Sequence, residues 1–145
     1  MKSIYIYGAS GHGLVVADIA RACGYGNIIF IDDGDNDYLT FDEIKNNKNI
    51  PIILAIGSNL IRAKIFEKVE NSGFDVVTLI HPSSVVSLSA SIGKGTVIMP
   101  NVVVNANAIV GKGIILNTSC IVEHECIIDD FVHISPNVAL AGNVT

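Results

Sequence analysis

The chain has 145 residues, half of them hydrophobic and only 16% charged, with no tryptophan. Average soluble domains carry about 25% charged residues, so this composition excludes a disordered chain and favours an architecture that needs few charges. Nine Lys and Arg against fourteen Asp and Glu give a net charge of −5 without any basic run, which argues against a nucleic-acid or anionic-membrane surface. No apolar stretch approaches the roughly 18 residues of a membrane span, and the segment from Met1 to Gly8 is too short for a signal peptide. Cys23, Cys120 and Cys126 are odd in number and lack metal-knuckle spacing. The expectation is a reduced, cytoplasmic protein without a metal.

Residues 3–7 form an apolar run ending at Gly8, and residues 12–23 carry Leu14, Val15, Ala17, Ile19 and Ala22 at helical spacing. Ile28 to Ile31 follows as a second run and ends at Asp32-Asp33. Ile52 to Ile56 is a third, succeeded by a helical pattern through Leu60, Ile61, Ile65, Phe66 and Val69, and Val76 to Ile80 is the last. Strands alternating with helices predict βαβ units and a parallel sheet, and continuous apolar strands predict burial on both faces.

Ligands of such sheets bind outside the carboxyl ends of the strands. Three loops are expected there: Gly8-Ala9-Ser10-Gly11-His12-Gly13, Asp32-Asp33, and Gly57-Ser58-Asn59. Glycines let a backbone approach a phosphate, and a helix N-terminus offers unpaired N–H groups. The spacing is G-x-x-G-x-G and not the dinucleotide G-x-G-x-x-G. The turn can be a tight connection alone, the two acids a solvated loop or a cap, and His12 either a cap or a phosphate contact. Their convergence at one sheet edge favours ligand binding.

From Val86 onward every sixth residue is aliphatic: Ile92, Ile98, Val104, Val110, Leu116, Val122, Ile128, Ile134 and Leu140. Four places after each sits a small or aliphatic residue, Cys120 and Cys126 among them. Neither a helix nor a hairpin array has this period; it is the hexapeptide repeat of a β-solenoid, with three hexapeptides per triangular coil. The two cysteines are expected as small core residues. The inward row would contribute roughly 15–30 kcal/mol against on the order of 60–120 kcal/mol of backbone entropy. Coil hydrogen bonds, the first domain and neighbouring chains must therefore share the stabilisation. No cap sequence precedes Thr145, so the expectation is a shortened chain or an end covered by another subunit.

Within the repeat, Glu123, His124 and Glu125 fall on an outward corner because Val122 points in. A histidine titrates near neutral pH, and an adjacent carboxylate orients it and raises its basicity, which suits a general base. His133 lies half a coil further on, where a different contact is expected, and His81 before Pro82 reads as structural.

The order Tyr7-Gly8-Ala9-Ser10-Gly11-His12-Gly13, Asp32-Asp33, Ala55-Ile56-Gly57-Ser58-Asn59, Ile80-His81, a hexapeptide solenoid and Glu123-His124-Glu125-Cys126 resembles the bacterial sugar-nucleotide acetyltransferases over essentially the whole chain. The resemblance is to the branch acting on UDP-4-amino sugars of the bacillosamine pathway, allied to sialic-acid O-acetyltransferases. It implies a Rossmann-like α/β sugar-nucleotide-binding domain, taken as residues 1–83, and a left-handed parallel β-helix, taken as 84–145 with about three coils present. It further implies N-acetylation of a UDP-linked amino sugar by acetyl-CoA in a homotrimer with active sites between subunits. Carried over, Ser10, Gly11, His12, Asp32, Asp33 and Gly57 hold the sugar nucleotide, His124 is the base, Glu125 raises its basicity, and His133 and Gly142 contact acetyl-CoA. Family members continue past the position of Thr145 with further coils that complete the cofactor site. Two other enzymatic readings are O-acetylation of a sialic acid and N-acetylation of a GDP- or dTDP-amino sugar. A nucleotide-sugar-binding or trimerisation module is the non-enzymatic one.

Overall fold

In the computed structural model, which describes residues 1–145, the first apolar run becomes strand β1 (Ser3–Tyr7), the centre of a parallel sheet. Strand β2 (Asn27–Ile31) lies on one side of it and β3 (Ile52–Leu54) on the other, giving the order β2-β1-β3. Ile4, Tyr5, Ile6 and Tyr7 are each at most 4% exposed, which is burial on both faces. Helix α1 (Gly11–Ala22) follows β1 and α3 (Asn59–Asn71) follows β3, with Ser58 Oγ capping α3 by accepting from the Ile61 N–H at 3.3 Å. Between them, α2 (Phe41–Ile44) is a single turn that the apolar periodicity does not reveal; the Glu43 carboxylate closes it by accepting from the Thr40 N–H at 2.7 Å.

Two expectations change in detail. The packed stripe of α1 is Gly13, Val16, Ala17 and Ala20, with Ile19 beside it, while Leu14 and Val15 are 59% and 41% exposed. The run from Val76 to Ile80 is not one strand: Val76 makes an isolated parallel bridge to Ile52, and β4 (Leu79–Ile80) pairs with a strand of the solenoid. The chain accordingly divides into Met1–Val77 and Thr78–Thr145.

The second unit is a left-handed parallel β-helix. After β4 its two-residue strands are β5 (Val85–Val86), β6 (Ser91–Ile92), β7 (Val97–Ile98), β8 (Val103–Val104), β9 (Ile109–Val110), β10 (Ile115–Leu116), β11 (Ile121–Val122), β12 (Ile127–Ile128), β13 (His133–Ile134) and β14 (Ala139–Leu140). They stack into three parallel sheets, β13-β10-β7-β4, β14-β11-β8-β5 and β12-β9-β6. Ile115 pairs with Val97, and Val97 with Leu79, so successive coils repeat after 18 residues. Ile98, Val104, Val110, Leu116 and Val122 are at most 2% exposed, and Cys120 and Cys126 share this interior as free thiols. Burial pushes the Cys120 thiol up to about 11, so it is inert. Thr96 is the polar residue of that row; its hydroxyl donates to Gly111 O at 3.0 Å and accepts from the Ile114 N–H at 3.2 Å.

From Gly95 onward each corner turns through a left-handed residue six positions after the last. Gly95, Asn101, Asn107, Gly113, Ser119, Glu125, Phe131, Asn137 and Asn143 all have φ between 59° and 72°. Glycine and asparagine tolerate that region, whereas a residue such as Glu or Phe occupies it at a cost.

Candidate functional site

At the carboxyl edge of the first sheet, the glycine-rich turn divides into two kinds of position. A Cβ on Gly8 would lie 2.4 Å from Ala55 O, and one on Gly13 would lie 2.1 Å from Gly8 O, so these two glycines serve close packing within the protein. Gly11 and Gly57 have nothing within 4 Å of a built Cβ and border open space. Ser10 is the exposed N-cap of α1, without a side-chain capping bond, and His12 is half-buried on the first turn.

The two acids are tied into the protein itself. Asp32 Oδ1 accepts from the Gly34 N–H at 2.8 Å and from Asn36 Nδ2 at 2.9 Å, while Oδ2 accepts from the Ala9 N–H at 3.3 Å. The Gly34 N–H bond chiefly holds this carboxyl below the usual Asp range. Asp33 Oδ1 accepts from the Phe41 N–H at 2.8 Å, and Oδ2 from the Tyr7 hydroxyl, with Lys68 Nζ at 3.6 Å. Burial works to raise the Asp33 pKa, but the hydrogen bonds from Tyr7 and Phe41 together with the Lys68 charge outweigh it, and the carboxyl ends below the usual range. The Tyr7 hydroxyl is pushed far up, first by burial and then by Asp33. Lys68 also lies over the Phe41 ring, 4.6 Å from its centroid, and Tyr7 stacks on Phe41. Asp33 thereby fastens the segment leading to α2 onto β1 and α3, and Asp32 fastens the glycine-rich turn.

Arg62, which the periodicity reading passes over, holds the third loop. It is 1% exposed and donates from Nη1 to Ile56 O at 2.9 Å and Gly57 O at 3.3 Å, and from Nη2 to Asn59 Oδ1 at 2.8 Å. Burial pulls its pKa down to about 10, still charged at neutral pH. An arginine four places after the Ser58 cap, in an otherwise apolar stripe, is the signal that could have found it.

In the solenoid, β11 ends at Val122 and the chain turns outward. His124 Nδ1 faces Glu125 Oε2 at 3.1 Å, with both side chains 58% exposed. Glu123 Oε2 accepts from Asn105 Nδ2 of the preceding coil at 2.9 Å. The Glu125 N–H donates to Ala106 O at 2.9 Å and the Asn143 N–H to His124 O at 2.8 Å, so the corner is pinned from both sides. Glu125 occupies the left-handed position at φ 60°. The structure thus brings His124, Glu125 and Gly142 together, with a built Gly142 Cβ 2.5 Å from His124 Nε2. His133 sits elsewhere, on β13, its Nε2 3.0 Å from Asn117 Nδ2. His81 Nδ1 is engaged by the Ser83 N–H at 3.0 Å within a turn. No cluster of three or more metal-ligating side chains is present, and no helix is long and apolar enough to cross a membrane.

An α/β unit with an open glycine-rich edge is thus followed by a hexapeptide β-helix bearing an exposed imidazole–carboxylate corner. Residues 3–69 match the PglD N-terminal domain family. The chain is similar to UDP-N-acetylbacillosamine N-acetyltransferase of Bacillus subtilis strain 168, with 35% identity over 112 aligned positions that cover 67% of this chain. The chain spans about half, 51%, of the length of that relative. The acetyltransferase domain of PglB from Neisseria gonorrhoeae FA1090, solved in complex with acetyl coenzyme A, is 41% identical with a TM-score of 0.89, covering 98% of this chain and 74% of that one. A perosamine N-acetyltransferase variant from Caulobacter crescentus, in complex with CoA and GDP-perosamine, is 31% identical with a TM-score of 0.92, covering 99% and 73%. The protein belongs to the bacterial sugar acetyltransferase family.

Proposed function

We propose that the protein is an acetyl-CoA-dependent N-acetyltransferase acting on the 4-amino group of a UDP-linked amino-dideoxy sugar, of the kind used in glycan biosynthesis. The observation that carries this reading is the His124–Glu125 pair on an exposed solenoid corner, in a chain of this family. Ser10, Gly11, His12 and Gly57 line the open loop edge and are assigned to the sugar nucleotide. Asp32 and Asp33 are assigned there too, with lone pairs beyond those their own loops engage. His133 and Gly142 are assigned to acetyl-CoA. The relative solved with acetyl coenzyme A supports that co-substrate, and the bacillosamine relative supports UDP. The perosamine relative, bound to GDP-perosamine, supports a GDP-sugar as the second reading.

His124 removes the proton from the amine as its nitrogen attacks the thioester carbonyl. The carbon–sulfur bond breaks, and the proton passes from the imidazolium to the departing thiolate. Glu125, on the Nδ1 side of the ring, fixes the orientation and stabilises the imidazolium. No metal and no covalent enzyme intermediate are needed. A cytoplasmic homotrimer with sites between subunits is part of the same reading.

The test is a panel of UDP-, GDP- and dTDP-amino sugars and a sialic acid assayed with acetyl-CoA. Acetylation of a UDP-4-amino sugar, lost in His124→Ala with sugar-nucleotide affinity retained, supports the proposal. Transfer to an alcohol only, or full activity without the imidazole, overturns it.

A further inference from the structure

The corner column that carries His124 runs Leu88, Ala106, His124, Gly142, one residue from each successive coil. Gly142 has a φ outside the left-handed region, so its backbone is one that any residue adopts. What it provides is room. A Cβ there would lie 2.5 Å from Nε2, 2.7 Å from Cε1 and 3.1 Å from Cδ2 of His124, which is the edge of the ring centred on Nε2. The opposite side of the imidazole, at Nδ1, is already set against Glu125 at 3.1 Å. The coils cannot separate locally to relieve such a contact, because the Asn143 N–H is bonded to His124 O at 2.8 Å and the Glu123 N–H to Leu140 O at 3.3 Å.

We propose that Gly142 is a positioning residue for His124: by lacking a side chain it keeps the Nε2 edge open while Nδ1 stays on Glu125. A methyl group at this place needs about 1 Å of ring displacement to reach ordinary contact distance. The ring then leaves Glu125, or Nε2 is covered, and both outcomes remove the base from the substrate amine. The catalytic part of this inference rests on the reading of His124 as the base; the geometric part does not.

The experiment is Gly142→Ala in the full chain, read in two ways. Nitrogen-15 NMR of the His124 imidazole in the ligand-free protein should show altered Nδ1 and Nε2 shifts, and diethyl pyrocarbonate should modify His124 at a changed rate, slower where Nε2 is covered and faster where the ring has left Glu125. A ring that responds like wild type in both readouts overturns the proposal. In turnover, kcat should fall about 10²-fold, the loss expected of a 1 Å misplacement, with KM for the sugar nucleotide unchanged. In a His124→Ala background the same substitution should cost markedly less than in wild type, the remainder being its assigned contact with acetyl-CoA; an equal loss in both backgrounds means that Gly142 does not act through the ring and overturns the proposal. Should the single variant melt early, His124→Ala/Gly142→Ala should recover the melting temperature, since the ring in the way is gone; a double variant that melts as low as the single one is also a refutation. If the NMR signature moves while His124→Ala keeps full turnover, the reading of the base fails and the positioning stands.

Discussion

Glu125 sits where the repeat otherwise places glycine, asparagine or serine, with Phe131 the other departure, and its left-handed backbone costs roughly 1–2 kcal/mol relative to a regular conformation. Asparagine removes much of that cost without the extra chain entropy that glycine introduces. The carboxylate's pairing with His124, with both partners 58% exposed, returns at most about 1 kcal/mol. Glu125→Asn is therefore expected to stabilise the solenoid by about 0.5–1 kcal/mol, a rise of roughly 2–4 °C in Tm. Turnover should move the other way. Without the carboxylate on Nδ1 the ring loses its orientation, and kcat falls at least about tenfold, a part of the roughly 10²–10⁴ that a positioned base contributes. Differential scanning calorimetry and thiol release from acetyl-CoA measure the two quantities on the same preparation. A variant that melts lower and keeps full turnover refutes the view that the corner holds an unfavourable backbone for the sake of the imidazole.

His124→Ala should lower kcat by about 10²–10⁴ while sugar-nucleotide binding by calorimetry stays within twofold. Gly11→Ala, facing open space, should leave the melting temperature unchanged and weaken sugar-nucleotide binding, whereas Gly8→Ala, 2.4 Å from Ala55 O and at φ +123°, should unfold the first unit; equal binding by Gly11→Ala and wild type removes Gly11 from the site. Arg62→Ala should cost about 3 kcal/mol by stranding the carbonyls of Ile56 and Gly57, seen as a lower denaturant midpoint together with weaker nucleotide binding. Because the Asp33 carboxyl titrates lower in the folded chain than in the unfolded one, its stabilisation is fully present above about pH 4 and disappears as the pH falls through its folded value. Asp33→Asn should flatten that acid limb in a urea-melt series, and an unchanged limb would assign it to other carboxylates.

The solenoid was legible because its inward row repeats every six residues, and the same arithmetic, extended to 18, places Gly142 above His124. Its beginning is hidden in the sequence. Ile80 is six before Val86 and belongs to the row, but the run from Val76 to Ile80 looks like a continuous sheet strand until its pairing is known. The α2 turn escaped because four residues carry no apolar period, although Thr40 and Glu43 have capping-box spacing. At the site, residue types and spacing marked the glycine-rich turn, the two acids and the corner histidine. Local sequence did not disclose that Asp33 is held by Tyr7 and Lys68, 26 residues before it and 35 after. Nor did it disclose that Gly8 and Gly13 answer to backbone oxygens of the protein itself; such facts arise only from tertiary packing.

The eighteen-residue register has a consequence for how this scaffold can change. Strands of neighbouring coils lie about 4.8 Å apart, so the prism acts as a ruler along which side chains step in fixed increments. Inserting or removing a whole turn before Val122 would slide the imidazole along its own edge, while any other length change would rotate it onto a different face. Variation in reach is thus quantised by coils.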